Sequence, residues 1–156
     1  MTFGASVEGC AEDFECQYFG WAKFKCEILR GWNEELGKLY AQKYGFLWNR
    51  NRHSLFGLIP FLIPSEGREL DEKMNQILDE YDKPYNEGMK LFLNPYNDYE
   101  YTPAECELIL PAFERVDPDK FDKSDDHSNR WYNEAYIVWI RMFKYAIENN
   151  ISINFG

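Results

Sequence analysis

The sequence predicts an α+β fold that is mainly α, a helical bundle with a small sheet pairing the N- and C-terminal strands. Three observations carry this. Apolar residues recur at spacings of three and four over several long segments, the period of helices with one buried face. Thr102-Pro103-Ala104-Glu105 is a helix start, with an N-cap Thr, Pro at the first helical position and the Glu of a capping box. The chain ends alternate apolar and polar residues, the period of a strand. At 156 residues the chain has the length of one domain, 1–156, able to bury a core without disulfide or metal.

In chain order, Thr2-Phe3-Gly4-Ala5-Ser6-Val7 alternates weakly and predicts a strand closed by Glu8-Gly9. A stretch rich in Phe, Tyr and Cys then leads to Gly20. Trp21, Phe24, Ile28, Leu29, Trp32, Leu36, Leu39 and Tyr40 form one helical stripe. Gly31 and Gly37 weaken it, so a kink or a junction of two helices is expected near Gly31, with a stop at Gly45. Residues 46–68 read as an irregular, buried connection broken by Pro60, Pro64 and Gly67. Leu70, Met74, Ile77, Leu78 and Tyr81 predict a helix from about Glu69 to Tyr81, which Pro84 closes unless it opens the next short one. Met89, Leu91, Phe92 and Leu93 add an apolar patch. The capped helix at Thr102 buries Cys106, Ile109, Leu110 and Phe113, and Pro111 should bend it. An acidic loop spans 117–130. A final helix from about Asn129 to Asn149 carries the stripe Trp131, Ala135, Val138, Trp139, Met142, Phe143 and Ala146. The ending Ile151-Ser152-Ile153-Asn154-Phe155-Gly156 alternates strictly. A lone strand has no partner, so the N-terminal strand is its expected mate.

Composition narrows the function. Hydrophobic residues make up 45% and aromatics 18% of the chain, too apolar for disorder. Eleven Tyr and five Trp exceed what the core needs, so some belong at the surface. The net charge of −10 is one-sided. Residues 1–60 hold seven Lys/Arg against seven Asp/Glu, and residues 61–156 hold ten against twenty. Such a field repels nucleic acid and anionic membranes and attracts a basic protein. Solubility alone is the plainer reading. The start lacks the basic and apolar stretches of a signal peptide. The longest apolar run, Leu55 to Ile63, is about half a membrane span and contains Pro60. A cytoplasmic protein is expected, with no membrane partner. Cys10, Cys16, Cys26 and Cys106 form no Cys-x-x-Cys pair, and His53 and His127 stand far apart. Free thiols and no zinc or other cofactor are expected.

Three segments have residues suited to chemistry. Asn94 to Glu105 has the length of a calcium loop, with Asn94, Asp98 and Glu105 at its first, fifth and twelfth positions. Tyr96 and Tyr99 stand where an acid and the turn glycine belong, and Glu105 is already explained as a cap. At this segment a resemblance enters. Gly4-x-Ser6-Val7, the stretch Leu91 to Cys106 and the ending Ile151-x-Ile153-x-Phe155-Gly156 resemble a family of small uncharacterised acidic bacterial and phage proteins. Of that family's middle pattern this chain keeps Asp98, Thr102, Pro103 and Cys106 and lacks the Gly. The resemblance implies a bacterial or phage origin and brings no activity with it. The second segment is the acidic loop Asp117, Asp119, Asp122, Asp125 and Asp126, which suits a basic partner or a divalent cation, although Lys120 and Lys123 interleave. The third is the basic, aromatic stretch Lys43 to His53, where Arg50 and Arg52 could hold a phosphate. Cys10, Cys16 or Cys26 could meet His53 as a nucleophile and base. No catalytic signature motif is present.

The expected function is therefore a non-catalytic acidic protein that binds a basic protein, as an immunity protein or phage inhibitor binds a nuclease. Asp117, Asp119, Asp122, Asp125 and Asp126 are the expected contacts, with Tyr96, Tyr99 and Tyr101 beside them. The alternative is a divalent-metal module or metal-dependent enzyme using Asp98, Glu105 and the 117–126 loop.

Overall fold

The computed structural model describes residues 2–52 and 64–156. These form six α-helices and a four-stranded antiparallel sheet. Strand β1 (Thr2–Ser6) turns at Gly9, whose φ of +82° is the left-handed region glycine enters freely. Strand β2 (Asp13–Gln17) follows and pairs with β1, Ala5 facing Phe14 and Ser6 facing Asp13. This second strand is not among the elements expected from the sequence, although its residues alternate too. Phe14 is buried and Cys16 partly buried, while Asp13, Glu15 and Gln17 are exposed.

Helix α1 (Tyr18–Trp32) and helix α2 (Glu34–Arg52) realise the expected junction, but the break is at Asn33. The Asn33 amide donates to the Leu29 carbonyl at 2.7 Å, and its side-chain oxygen accepts from Glu35 and Leu36 N–H at 3.0 and 3.3 Å. One residue thus ends one helix and starts the next. Gly31 has a different job. A Cβ there would lie 2.6 Å from Val116 Cγ1 and 2.9 Å from the Asp117 carbonyl oxygen. The bare backbone lets the 116–117 connection press on α1, where the Asp117 amide donates to the Gly31 carbonyl at 2.9 Å. The expected stop at Gly45 does not occur. The helix continues to Arg52, since one internal glycine costs only about 1 kcal/mol. The expected irregular connection is likewise corrected at its ends, because 46–52 and 64–68 are helical. Its remainder, 53–63, lies outside the described residues.

Helix α3 (Pro64–Asp79) begins five residues earlier than expected and buries Leu70, Met74 and Leu78. Pro84 precedes helix α4 (Tyr85–Leu93). Strand β3 (Glu100–Tyr101) leads into helix α5 (Pro103–Glu114), where Thr102 accepts from the Glu105 amide at 3.3 Å as the sequence predicts. A 3-10 turn (Pro118–Lys120) interrupts the acidic loop. Helix α6 (Asp126–Asn149) starts a turn before the expected Asn129, because Asp125 caps it through Ser128. Asn150 takes the left-handed conformation at its end. Strand β4 (Ile153–Phe155) pairs antiparallel with β1, as expected of the two ends, and also with β3, giving the order β2-β1-β4-β3.

The core is aromatic. Trp139 is wholly buried, 5.2 Å from Trp21 in a stacked pair and 5.4 Å from both Phe14 and Phe143. The expected surplus of surface aromatics is only partly realised. Trp21, Trp32 and Trp139 are buried, as are Tyr101, Tyr132 and Tyr136, while Tyr18, Tyr96 and Tyr99 are exposed. Buried tyrosines need a partner for the hydroxyl. Tyr136 donates to the Phe113 carbonyl at 2.7 Å, and Tyr101 to the Phe92 carbonyl at 2.6 Å.

Candidate functional site

Two neighbouring surfaces stand out, and the sheet positions both. The first is a groove. Helix α1 begins directly after β2, so Tyr18, Trp21 and Lys25, spaced by three and four, share a helix face. That face meets Phe3 of β1, Phe155 of β4 and the 95–101 segment around a cavity of about 570 Å³. The volume falls within the range of small-molecule sites. Phe3 stacks on Trp21 at 4.3 Å, and Phe155 sets its edge against Tyr101 at 4.8 Å. Tyr18 and Tyr99, 52% and 77% exposed, also line it. Lys25 is its cation. Its ammonium donates to the Leu93 carbonyl at 3.2 Å and lies 4.9 Å from the Trp21 ring centre. It makes no ion pair among the described residues, and burial lowers its pKa to about 8.

The second surface is the outer face of the sheet. Strand pairing places Asp13, Ser6, Asn154 and Glu100 in one row across all four strands. In the next row Glu15 faces Gly4. Ser6, Asp13, Glu15 and Asn154 are exposed and Glu100 partly so. None of these carboxylates forms an ion pair among the described residues, whose bridges hold Glu12, Glu27, Asp71 and Asp79 instead. A shallow depression on this face shares Thr2, Gly4, Phe155 and Gly156 with the groove, so the two surfaces adjoin. Tyr96 and Tyr99, 81% and 77% exposed, flank Asp98 just before Glu100. Asn97 holds this loop, accepting from the Tyr99 and Glu100 amides at 2.9 and 2.8 Å.

The acidic loop is placed differently from the simple reading. Asp117 accepts from the Asp119 amide, Asp122 from the Ser124 amide and Asp125 from Ser128. These bonds hold the Asp122 and Asp125 carboxyls below the usual carboxylate range. Lys23 and Arg30 of α1 add to the effect at Asp122. Three of the five acids therefore shape their own loop, leaving Asp119 and Asp126 as exposed carboxylates without such a bond among the described residues. The Asp122 amide donates to buried Glu27 at 2.8 Å, pinning the loop to α1.

Tyr101 corrects the sequence reading. Sitting inward on β3, it is fully buried and unavailable to a partner, whereas Tyr96 and Tyr99 are open. Asp98 lies in the groove lining. Glu105 is buried at the start of α5, accepting the Thr102 hydroxyl at 3.1 Å. Asp98 and Glu105 thus have separate settings, and no three His, Cys, Asp or Glu side chains among the described residues are grouped to hold one ion. The Arg50 and Arg52 side chains and all of His53 lie outside the described residues. The four cysteines are free. Burial pushes the Cys16 and Cys26 thiols up to about 11 and Cys106 to about 12, so all three stay protonated at neutral pH, unlike an activated nucleophile.

Lys25, Asp13 and Glu15 are not among the residues the sequence singles out. The i,i+4 spacing of Trp21 and Lys25 and the alternation of Asp13, Glu15 and Gln17 were the available signals. Compared with protein-family models, curated proteins and solved structures, the chain matches none. No described helix is long and apolar enough to cross a membrane.

Proposed function

We propose that the protein is a non-catalytic acidic protein that binds a basic protein, such as a nuclease held inactive. The contact surface is the outer sheet face with the tyrosine loop beside it. One observation carries this reading. Tyr96 and Tyr99 lie 81% and 77% exposed beside Asp98 and Glu100 at the β3 edge of a sheet face whose β2 edge bears Asp13 and Glu15, and no ion pair among the described residues neutralises these four carboxylates. Exposed tyrosines supply contact area at low entropic cost, and unpaired carboxylates steer a basic partner to the face. The acids of the 117–126 loop extend the same field, and Asp119 and Asp126 are its members without a hydrogen bond or ion pair to their carboxylates among the described residues. Asp117, Asp122 and Asp125 are already engaged by their own turns, and Asp122 also by Lys23 and Arg30, which makes the sheet face the stronger attractor.

The test is association kinetics against the purified partner. Asp13→Lys with Glu15→Lys and Glu100→Lys should slow association and flatten its salt dependence. Tyr96→Ala with Tyr99→Ala should speed dissociation. Unchanged rates for both sets would refute this surface.

A further inference from the structure

We infer that the groove between α1 and the sheet is a binding site for a small apolar carboxylate, with Lys25 holding the anionic group and Trp21, Phe3 and Phe155 the apolar body. This rests on the groove alone and does not depend on the protein-binding reading.

The chemistry follows from what Lys25 has and lacks. An ammonium has three donors. One is used on the Leu93 carbonyl, and the Trp21 ring offers an electrostatic contact but no acceptor for the others. No carboxylate completes the set among the described residues. A partly buried cation is ordinarily paired. Two spaces adjoin it: one of about 300 Å³ shared with Lys43 and Asp71, which pair with each other, and the groove of about 570 Å³, half of whose described lining residues are aromatic. A ligand carboxylate entering the groove would meet two N–H donors that have no partner among the described residues, where water is partly excluded, which strengthens a charge-assisted hydrogen bond. Its hydrocarbon would cover the Phe3–Trp21 stack. Asp98, the one acid among the described lining residues, is exposed, where solvent screens its repulsion. A neutral apolar ligand would leave the Lys25 donors unmet, and a cationic one would be repelled.

The probes are 3-phenylpropionate and its uncharged amide, titrated into the full-length protein by calorimetry and by amide NMR. The acid should bind about tenfold or more tightly than the amide, shifting the amides of Gly4, Tyr99 and Phe155. Lys25→Met should bind acid and amide alike, with its fold verified by its own melting curve, while Asp98→Asn should bind the acid at least as well as wild type. Equal affinity of wild type for acid and amide, shifts confined to other residues, or no binding of the acid at millimolar concentration would overturn the assignment.

Discussion

Replacing Lys25 with Met should stabilise the free protein near neutral pH. Burial lowers the Lys25 ammonium from 10.5 to about 8. At about 1.4 kcal/mol for each pH unit, holding that charge in the fold costs about 3 kcal/mol. Methionine keeps the apolar stem and removes the charge. It also removes the hydrogen bond to Leu93 and the contact with the Trp21 ring, together worth about 1–2 kcal/mol. The net gain at pH 7 is roughly 1–2 kcal/mol, a rise in melting temperature of roughly 2–8 °C for a chain this size. The pH dependence has a definite sign. The unfolded lysine holds its proton up to 10.5 and the folded one only to about 8. Between those values the unfolded state binds more protons, so wild-type stability rises with pH relative to Lys25→Met. Burial also raises the Tyr40 and Tyr101 hydroxyls. Their ionisation destabilises both proteins alike above pH 10, so the difference between the two isolates Lys25. Urea melts of both at pH 7 and 9.5 should show the advantage of Lys25→Met shrinking toward zero. A variant less stable than wild type at pH 7, with a difference that pH does not move, would refute this reasoning.

Three further substitutions test other parts of the structure. Glu27 is buried, and its carboxyl is raised by that burial despite the Asp122 amide and Arg30. Its raised folded value means stability is lost as pH climbs from the ordinary glutamate range through that value, so Glu27→Gln, which keeps an acceptor for Asp122, should gain on wild type between pH 4 and pH 7 in urea midpoints. A Cβ on Gly88 would run into the Leu108 carbonyl, and Gly88→Ala should destabilise by roughly 1–3 kcal/mol in urea melts. Removing the α5 cap with Thr102→Ala should cost about 1 kcal/mol by the same assay; a neutral result would mean that Glu105 and Pro103 hold that helix start unaided.

The legible parts of this fold were the ones written in adjacent residues. Thr102 to Glu105 announced a helix because the cap, the proline and the glutamate act within one turn. The pairing of the chain ends was legible because β4 alternates strictly and needs a mate. Gly31 marks the helix junction to within two residues, but Gly45 stops nothing, because a glycine in a sequence does not say whether it breaks a helix, sits inside one or admits a neighbour. Gly31 admits the 116–117 connection, which lies 85 residues away and is invisible to local pattern. Tyr101 misled for a related reason. It resembles Tyr96 and Tyr99 in type and setting, but strand pairing with β4 turns it inward while they remain outside. The groove was illegible because its lining comes from four separated segments, residues 2–4, 18–25, 95–101 and 155–156. The acidic loop was legible as composition, yet the hydrogen bonds that engage Asp117, Asp122 and Asp125 depend on turn geometry.

The most direct measurement is a quantitative capture experiment from the native cell using three tagged proteins side by side. These are wild type, the sheet-face set Asp13→Lys, Glu15→Lys, Glu100→Lys, and the loop set Asp119→Lys, Asp126→Lys, each verified as folded by its melting curve. Wild type should retain one stoichiometric basic protein that high salt releases, the sheet-face set should lose it, and the loop set should weaken it less. Equal recovery by wild type and the sheet-face set, or no stoichiometric basic protein with wild type at low salt, would contradict a binding role for the face built by β1 to β4.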